Sequence, residues 1–185
     1  MSGHSKWSQI KRQKSVTDAA KSRVFARFAR AISVESKKAN GILTAPGLSA
    51  VVARAKAVNM PRDNIERAIA KGTSNDAAVL EQVLYEAYGP GGTAILIDAF
   101  TDNKNRTTQE IKHLLIVNGV ELANPGAAVW AFTKSHEGAY TPNEPLMDLS
   151  EADGEKFGTI LDALDEHGDV QRTYTIARGY ENTGD

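Results

Sequence analysis

The chain contains no cysteine, so disulfides and thiolate metal sites are excluded. No apolar run approaches the roughly 20 residues needed to span a bilayer. The N-terminus lacks the apolar core of a secretory signal. His4, His113, His136 and His167 are far apart, and none shows metal-ligand spacing. No serine or threonine sits in a nucleophile elbow. Glu151, Asp153, Glu155, Asp162, Asp165 and Glu166 follow one helix surface and read as a solvated face rather than a catalytic pair. Gly89-Pro90-Gly91-Gly92 joins strand to strand, without the spacing or the lysine of a phosphate loop. The sequence therefore offers no active site, no metal centre and no cofactor site, and the expectation is a protein that is not an enzyme.

What it does have is a division of charge. The net charge of the 185 residues is −1. Residues 1–72 carry 15 Lys/Arg against 4 Asp/Glu, or +11, whereas residues 73–185 carry 7 against 19, or −12. Such a split fits one half made for a polyanion and another repelled by it. The alternative is that the two halves attract each other across a domain interface. The polyanion reading is the expectation.

The positive charge is densest at the start. Residues 1–40 hold ten Lys/Arg and two acids, Asp18 and Glu35, a net of +8. Ser15-Val16-Thr17-Asp18 reads as a capping box opening a helix that runs to Asn40. Val24, Phe25, Phe28 and Ile32 recur at helical spacing and define its apolar stripe. Arg23, Arg27, Arg30 and Lys37 fall on the opposite side, so the helix is expected to hold out a row of cations. Asn40-Gly41 is the stop signal. Ahead of it, Lys6, Lys11, Arg12 and Lys14 surround Trp7 and Ile10. A basic, serine-containing, acid-poor start is also how an organelle transit peptide looks. A basic amphipathic helix can lie on anionic lipid, but alanines interrupt this stripe, and no membrane partner is expected. The expected location is the cytoplasm. If Met1 is removed, Ser2-Gly3-His4 could wrap Cu(II) in a square-planar nitrogen set; a copper titration without a visible band would end that idea.

Along the chain, a second helix is predicted over about Leu48–Val58 and a third over Pro61–Lys71, with Gly72 as its stop. Three helices make a small bundle, and residues 1–76 are the first domain. Val83–Tyr88 and Thr93–Phe100 read as a hairpin. A helix follows over Arg106–Asn118, then strands at Val129–Thr133 and Ala139–Thr141. A helix opened by the capping box Ser150-Glu151-Ala152-Asp153 comes next, and a last strand has Val170, Tyr174 and Ile176 alternating. From Thr93 the order is the split βαβ pattern of ferredoxin-like domains, with one extra strand before it. The predicted fold class is thus α+β: an N-terminal three-helix bundle, then a ferredoxin-like sandwich with helices covering one sheet face. Residues 77–178 form this acidic second domain, and residues 179–185 are expected to be a disordered tail.

Four blocks stand out: Gly3-His4-Ser5-Lys6-Trp7, Asn59 to Ile69, Tyr85 to Gly92, and Thr101 to Thr107. In this order they resemble the YebC/PmpR family, which includes the mitochondrial translational activator of cytochrome oxidase. The likeness runs through Phe132, and the end from Leu161 to Gln171 is also similar. With the first block beginning at residue 3, the resemblance leaves no room for a cleaved transit peptide. Family members have a third domain inserted in the second. Here Phe132 leads through Ser135-His136-Glu137-Gly138 directly to Tyr140-Thr141-Pro142, so the third domain is expected to be absent.

The resemblance implies a regulator of gene expression that associates with nucleic acid, either a ribosome-associated translation factor or a DNA-binding transcriptional regulator. Cations on a helix and tail supply phosphate contacts and little base specificity. The expected nucleic-acid-binding residues are His4, Lys6, Trp7, Lys11, Arg12, Lys14, Arg23, Arg27 and Arg30. Trp7 could stack on an unpaired base or pin the tail to the bundle. Pro61–Lys71 is the nearest candidate for a recognition helix and offers mainly Arg62, Asn64 and Arg67. Ribosomal RNA is favoured over duplex DNA, and the acidic domain is left for a protein partner; a pure interaction module is the third possibility. Asp102, Asn103, Asn105 and Arg106 form a further family block, whose plain reading is a helix-capping turn.

Overall fold

The structure is a computed structural model and describes residues 18–74, 80–135 and 138–183. The bundle consists of α1 (Asp18–Lys38), α2 (Pro46–Ala57) and α3 (Arg62–Thr73). Phe28 and Ile32 of α1 pack on Leu48, Ala55, Met60, Ile65 and Ala68, with Val24 and Phe25 at the margin. The apolar stripe read from the sequence is therefore the bundle core. The stop at Asn40-Gly41 is real: both residues take positive φ, and the Gly41 amide donates to the Ser36 carbonyl at 2.9 Å. The capping box ahead of α1 lies partly outside the described residues. Pro46 opens α2, two residues earlier than expected, because a first-turn position needs no amide hydrogen.

Gly72 is not a stop. It lies inside α3, buried, where α3 crosses α1. A Cβ there would press into the Ser33 carbonyl oxygen and come within 2.7 Å of Ser36 Cβ. Glycine permits the approach, and Ser33 and Ser36 use it: their hydroxyls donate to the Ala68 and Ile69 carbonyls at 2.9 and 2.8 Å.

The second domain contains β1 (Glu81–Tyr88), β2 (Ala94–Thr101), α4 (Lys104–Val117), β3 (Leu122–Ala123), β4 (Phe132–Lys134), β5 (Tyr140–Pro142), α5 (Glu151–Glu166), β6 (Val170–Thr175) and β7 (Asn182–Thr183). The main sheet has the order β3-β1-β2-β6-β7. Strand β1 runs antiparallel to both β2 and β3. Hence β2 and β3 are parallel, are linked through α4 and are split by β1. This is the expected split βαβ unit, but its second strand differs. In the expected order Val129–Thr133 follows the helix; in the structure Leu122–Ala123 does, and β1, joined to β2 by residues 89–93 at small entropic cost, lies between the two parallel strands. Val129–Ala131 forms a 3-10 turn, and β4 pairs only with β5.

The sheet is consequently covered on both faces. Ile95, Ile97 and Ala99 of β2 pack under α4 and α5 with Ile111, Leu115, Phe157 and Leu164. Ala94 and Leu96 point the other way, toward Ala128, Ala131, Phe132 and Tyr174. Every residue of β2 is buried, as a central strand covered on two sides requires.

A register shift at Asp98/Ala99 changes the last strand. Asp98 pairs with Arg172 and Ala99 with Val170, so one residue of β6 bulges out. Val170 thus packs on the helix side while Tyr174 and Ile176 pack on the other, and the three do not share a face as expected. The supposed tail is also partly structured. Tyr180 is buried, meets Phe157 edge-on at a centroid distance of 5.4 Å and donates to the Gly154 carbonyl at 3.2 Å. Strand β7 then pairs with β6. Residues 179–183 therefore belong to the domain; burying a ring such as Tyr180 is worth about 1.5–3 kcal/mol.

Candidate nucleic-acid interface

Helix α1 carries Arg23, Arg27, Arg30, Val34 and Lys37 along one face, at i, i+4, i+7, i+11 and i+14. The middle of that face is turned to the second domain. Arg27 Nη1 donates to Asp165 Oδ1 at 2.9 Å, and its Nη2 donates to the Asp165 carbonyl. Arg30 pairs with Asp169 at 3.3 Å, and Val34 is buried. The expected row of outward cations is thus corrected for Arg27 and Arg30. Carboxylates at the end of α5 and in the turn to β6 lie opposite them, so attraction between the two halves holds at this seam. Arg23 and Lys37, at the two ends of the row, are exposed. His4, Lys6, Trp7, Lys11, Arg12 and Lys14 lie outside the described residues.

Asp169 ties three elements together. Its carboxylate accepts from the Thr107 hydroxyl at 2.7 Å and from Arg106 Nη2 at 2.8 Å, and faces Arg30. Its own carbonyl accepts from the Phe100 amide at 2.9 Å. Burial pushes the carboxyl up, but the Thr107 and Arg106 hydrogen bonds and the arginine charges outweigh it and hold it below the ordinary carboxylate range. The block expected at Asp102, Asn103, Asn105 and Arg106 falls beside it. Asn103 caps α4, its Oδ1 accepting from the Arg106 amide at 3.1 Å. Asp102 pairs with Arg106 at 2.9 Å, and Asn105 is exposed. The helix-capping turn is what the geometry displays, with Arg106 added to the seam.

A second constellation escaped the sequence reading. Glu86 is buried in β1, and its carboxylate accepts from the amides of Gly126, Ala128 and Val129 at 2.6, 2.6 and 2.9 Å. Burial raises its pKa and these three bonds together lower it further, leaving it below the usual range. The loop so held presents Trp130, 69% exposed. Its Nε1 donates to the Ala127 carbonyl at 2.8 Å and to the Tyr88 hydroxyl at 3.2 Å. Tyr88 in turn donates to the same carbonyl. The one available signal is a carboxylate between Tyr85 and Ala87, within the apolar run Val83–Tyr88. Replacing Glu86 by Gln puts an amide donor against three donors; we expect a loss of about 1–3 kcal/mol in urea unfolding, with a shift in the fluorescence of Trp130.

A bundle with one basic helix, clamped by arginine–aspartate pairs onto a split βαβ sheet, is the α+β arrangement on which the comparison with known proteins rests. Among the described residues no group of three or more His, Asp or Glu could hold a metal ion, and no helix is long and apolar enough to cross a membrane. Residues 5–75 match the family model described as the TACO1/YebC protein N-terminal domain, and residues 80–136 match that of the TACO1/YebC second and third domain. The chain belongs to the TACO1/YebC family.

Its relatives include a probable transcriptional regulatory protein of Synechococcus, 42% identical over 97% of this chain and 77% of that protein. Another, of the same description, from Leptospira biflexa is 50% identical over 89% of this chain and 69% of its own. One from Thermosipho africanus is 46% identical over 82% and 60%. The aligned stretch thus spans between 60% and 77% of the length of these relatives. The crystal structure of a conserved hypothetical protein from Aquifex aeolicus superposes with a TM-score of 0.78 at 25% identity, covering 87% of this chain and 91% of that one. Between β4 and β5 the present chain has only residues 135–139, too few for an inserted domain.

Proposed function

We propose that this protein regulates gene expression by binding nucleic acid through its basic N-terminal segment, with ribosomal RNA in the cytoplasm as the target. One observation carries the reading. With Arg27 and Arg30 set aside as partners of Asp165 and Asp169, residues 1–40 still hold eight Lys/Arg against two acids. Contacts of that kind follow phosphate rather than sequence. The descriptions of the relatives as probable transcriptional regulatory proteins support control of gene expression in general. The choice of RNA over duplex DNA is supported by α3. Its Arg62 is tied to Glu66 at 2.6 Å, and its Arg67 to Asn64 and the Asp63 carbonyl, so its polar groups serve the helix itself. A major-groove reader needs such groups directed at base edges.

The test is sedimentation of a lysate through a sucrose gradient at low and then raised salt. Travel with ribosomes, lost as salt rises, is the expected result; a protein at the top of both gradients overturns the ribosome reading. In purified form, reversing Lys11, Lys14 and Arg23 to Glu should weaken RNA binding for all sequences and flatten the salt dependence by about 2 in log–log slope. A second reading, a protein-interaction module, is favoured by the seam itself, which buries part of the basic helix against the acidic domain. It predicts no change in that triple variant. Footprints at chosen promoters would instead support a transcriptional regulator.

A further inference from the structure

The crossing at Gly72 has a second result: it brings the C-terminal ends of α1 and α3 side by side. Between them and the start of β1 lies a groove of about 280 Å³, lined by Ser33, Val34, Lys37, Lys38, Lys71 and Leu80 among others. Lys37 and Lys38 occupy the last turn of α1, and Lys71 that of α3. All three are exposed. Lys38 is paired with Glu35 at 2.6 Å and also feels the Asp98 carboxylate of β2. Among the described residues, neither Lys37 nor Lys71 reaches a carboxylate. A lysine at a helix C-terminus offsets the dipole of that helix, which accounts for one cation at each end. Here two ends share one groove, and of its three cations only Lys38 forms an ion pair among the described residues.

We propose that this groove is a phosphate-binding subsite for a strand of RNA, with Lys37 and Lys71 contacting the backbone. The inference rests on the nucleic-acid reading above and names a place for it apart from the N-terminal segment. The groove's shape suits the role. Val34 and Leu80 line it together with the three lysines, so apolar surface and ammonium-bearing side chains share one groove. Lys37 also continues the face on which Arg30 is held by Asp169, two helical turns on from that pair.

The test is anisotropy of a labelled oligouridylate with the full chain as a function of salt. Lys37→Gln with Lys71→Gln should lower the log–log salt slope by about 1.4 and the affinity roughly 25-fold at about 0.1 M salt, two single-strand phosphate contacts being lost. Both side chains are exposed, so the melting temperature should fall only by the few degrees that two helix-end charges are worth. Two companions separate the outcomes. Lys112→Gln with Lys156→Gln removes the same charge from exposed positions elsewhere and should leave the slope near that of the parent. Lys11→Gln with Lys14→Gln probes the N-terminal segment. If only the segment variant loses slope, the groove is overturned and the nucleic-acid reading stands. If the Lys112/Lys156 control falls as far as the groove variant, net charge is at work and the groove is again overturned. If the parent chain does not bind oligouridylate, both readings fall together.

Discussion

Replacing Asp169 by Ala should lower the unfolding free energy by about 2–3 kcal/mol, seen as a fall of roughly 5–10 °C in melting temperature. Its carboxylate is 9% exposed and is shared by Thr107, Arg106 and Arg30. Its removal takes two charge-assisted hydrogen bonds and leaves the buried Nη1 of Arg30 facing no counter-charge. Breaking a fully buried pair from one side costs about 3–5 kcal/mol; partial exposure of both arginines brings the figure down. Asp165→Ala is the contrast. That side chain is 43% exposed, and its loss should cost under about 1 kcal/mol. The effect has a defined pH sense. The folded pKa of Asp169 lies below the ordinary value, so its contribution is complete above the unfolded pKa of about 3.9 and disappears as pH falls through the lower folded value. The gap between parent and Asp169→Asn should therefore be full at neutral pH and close in acid. Equal melting curves for parent and Asp169→Ala would mean that the seam does not hold the domains together.

Gly72→Val is expected to be at least as damaging, at about 3–5 kcal/mol in urea unfolding. The new side chain would enter the Ser33 carbonyl and Ser36, and the helices would have to part. Parting them breaks the Ser33–Ala68 and Ser36–Ile69 bonds, about 1 kcal/mol each. Removing glycine from a helix interior returns only about 1 kcal/mol of propensity. Hydrogen exchange should show the protection of α1 and α3 falling together. A stable Gly72→Val protein would mean that the crossing is loose.

These two sites also mark the boundary of what the sequence carries. Local signals were readable. Asn40-Gly41 ends α1, and Ser150 caps α5, accepting from the Asp153 amide at 3.1 Å. Both depend only on residues a few positions apart. Gly72 reads as a stop because glycine in a helical pattern has two meanings, a turn or a close approach, and only the partner helix decides. Arg27 and Arg30 were placed on the correct helix face, since periodicity fixes direction, but not against Asp165 and Asp169, more than 130 residues away in sequence. The strand after α4, Leu122–Ala123, gives no periodic signal because two residues set up no alternation, and only β1 across the sheet fixes its place. Trp130 carries no signal of its own, because its exposure depends on Glu86 holding its loop, a contact 40 residues long. For the N-terminal cations the sequence remains the whole of the argument.

The outer strands of the main sheet, β3 and β7, are two residues each. A growing fibril or an added peptide strand needs a longer row of unpaired amides and carbonyls than these present. The outer edge of β1 is different: β3 pairs only with its Glu86 and Ala87, so among the described residues Glu81–Tyr85 carry the longer unpaired row, and an added strand would have to align there rather than along β3 or β7.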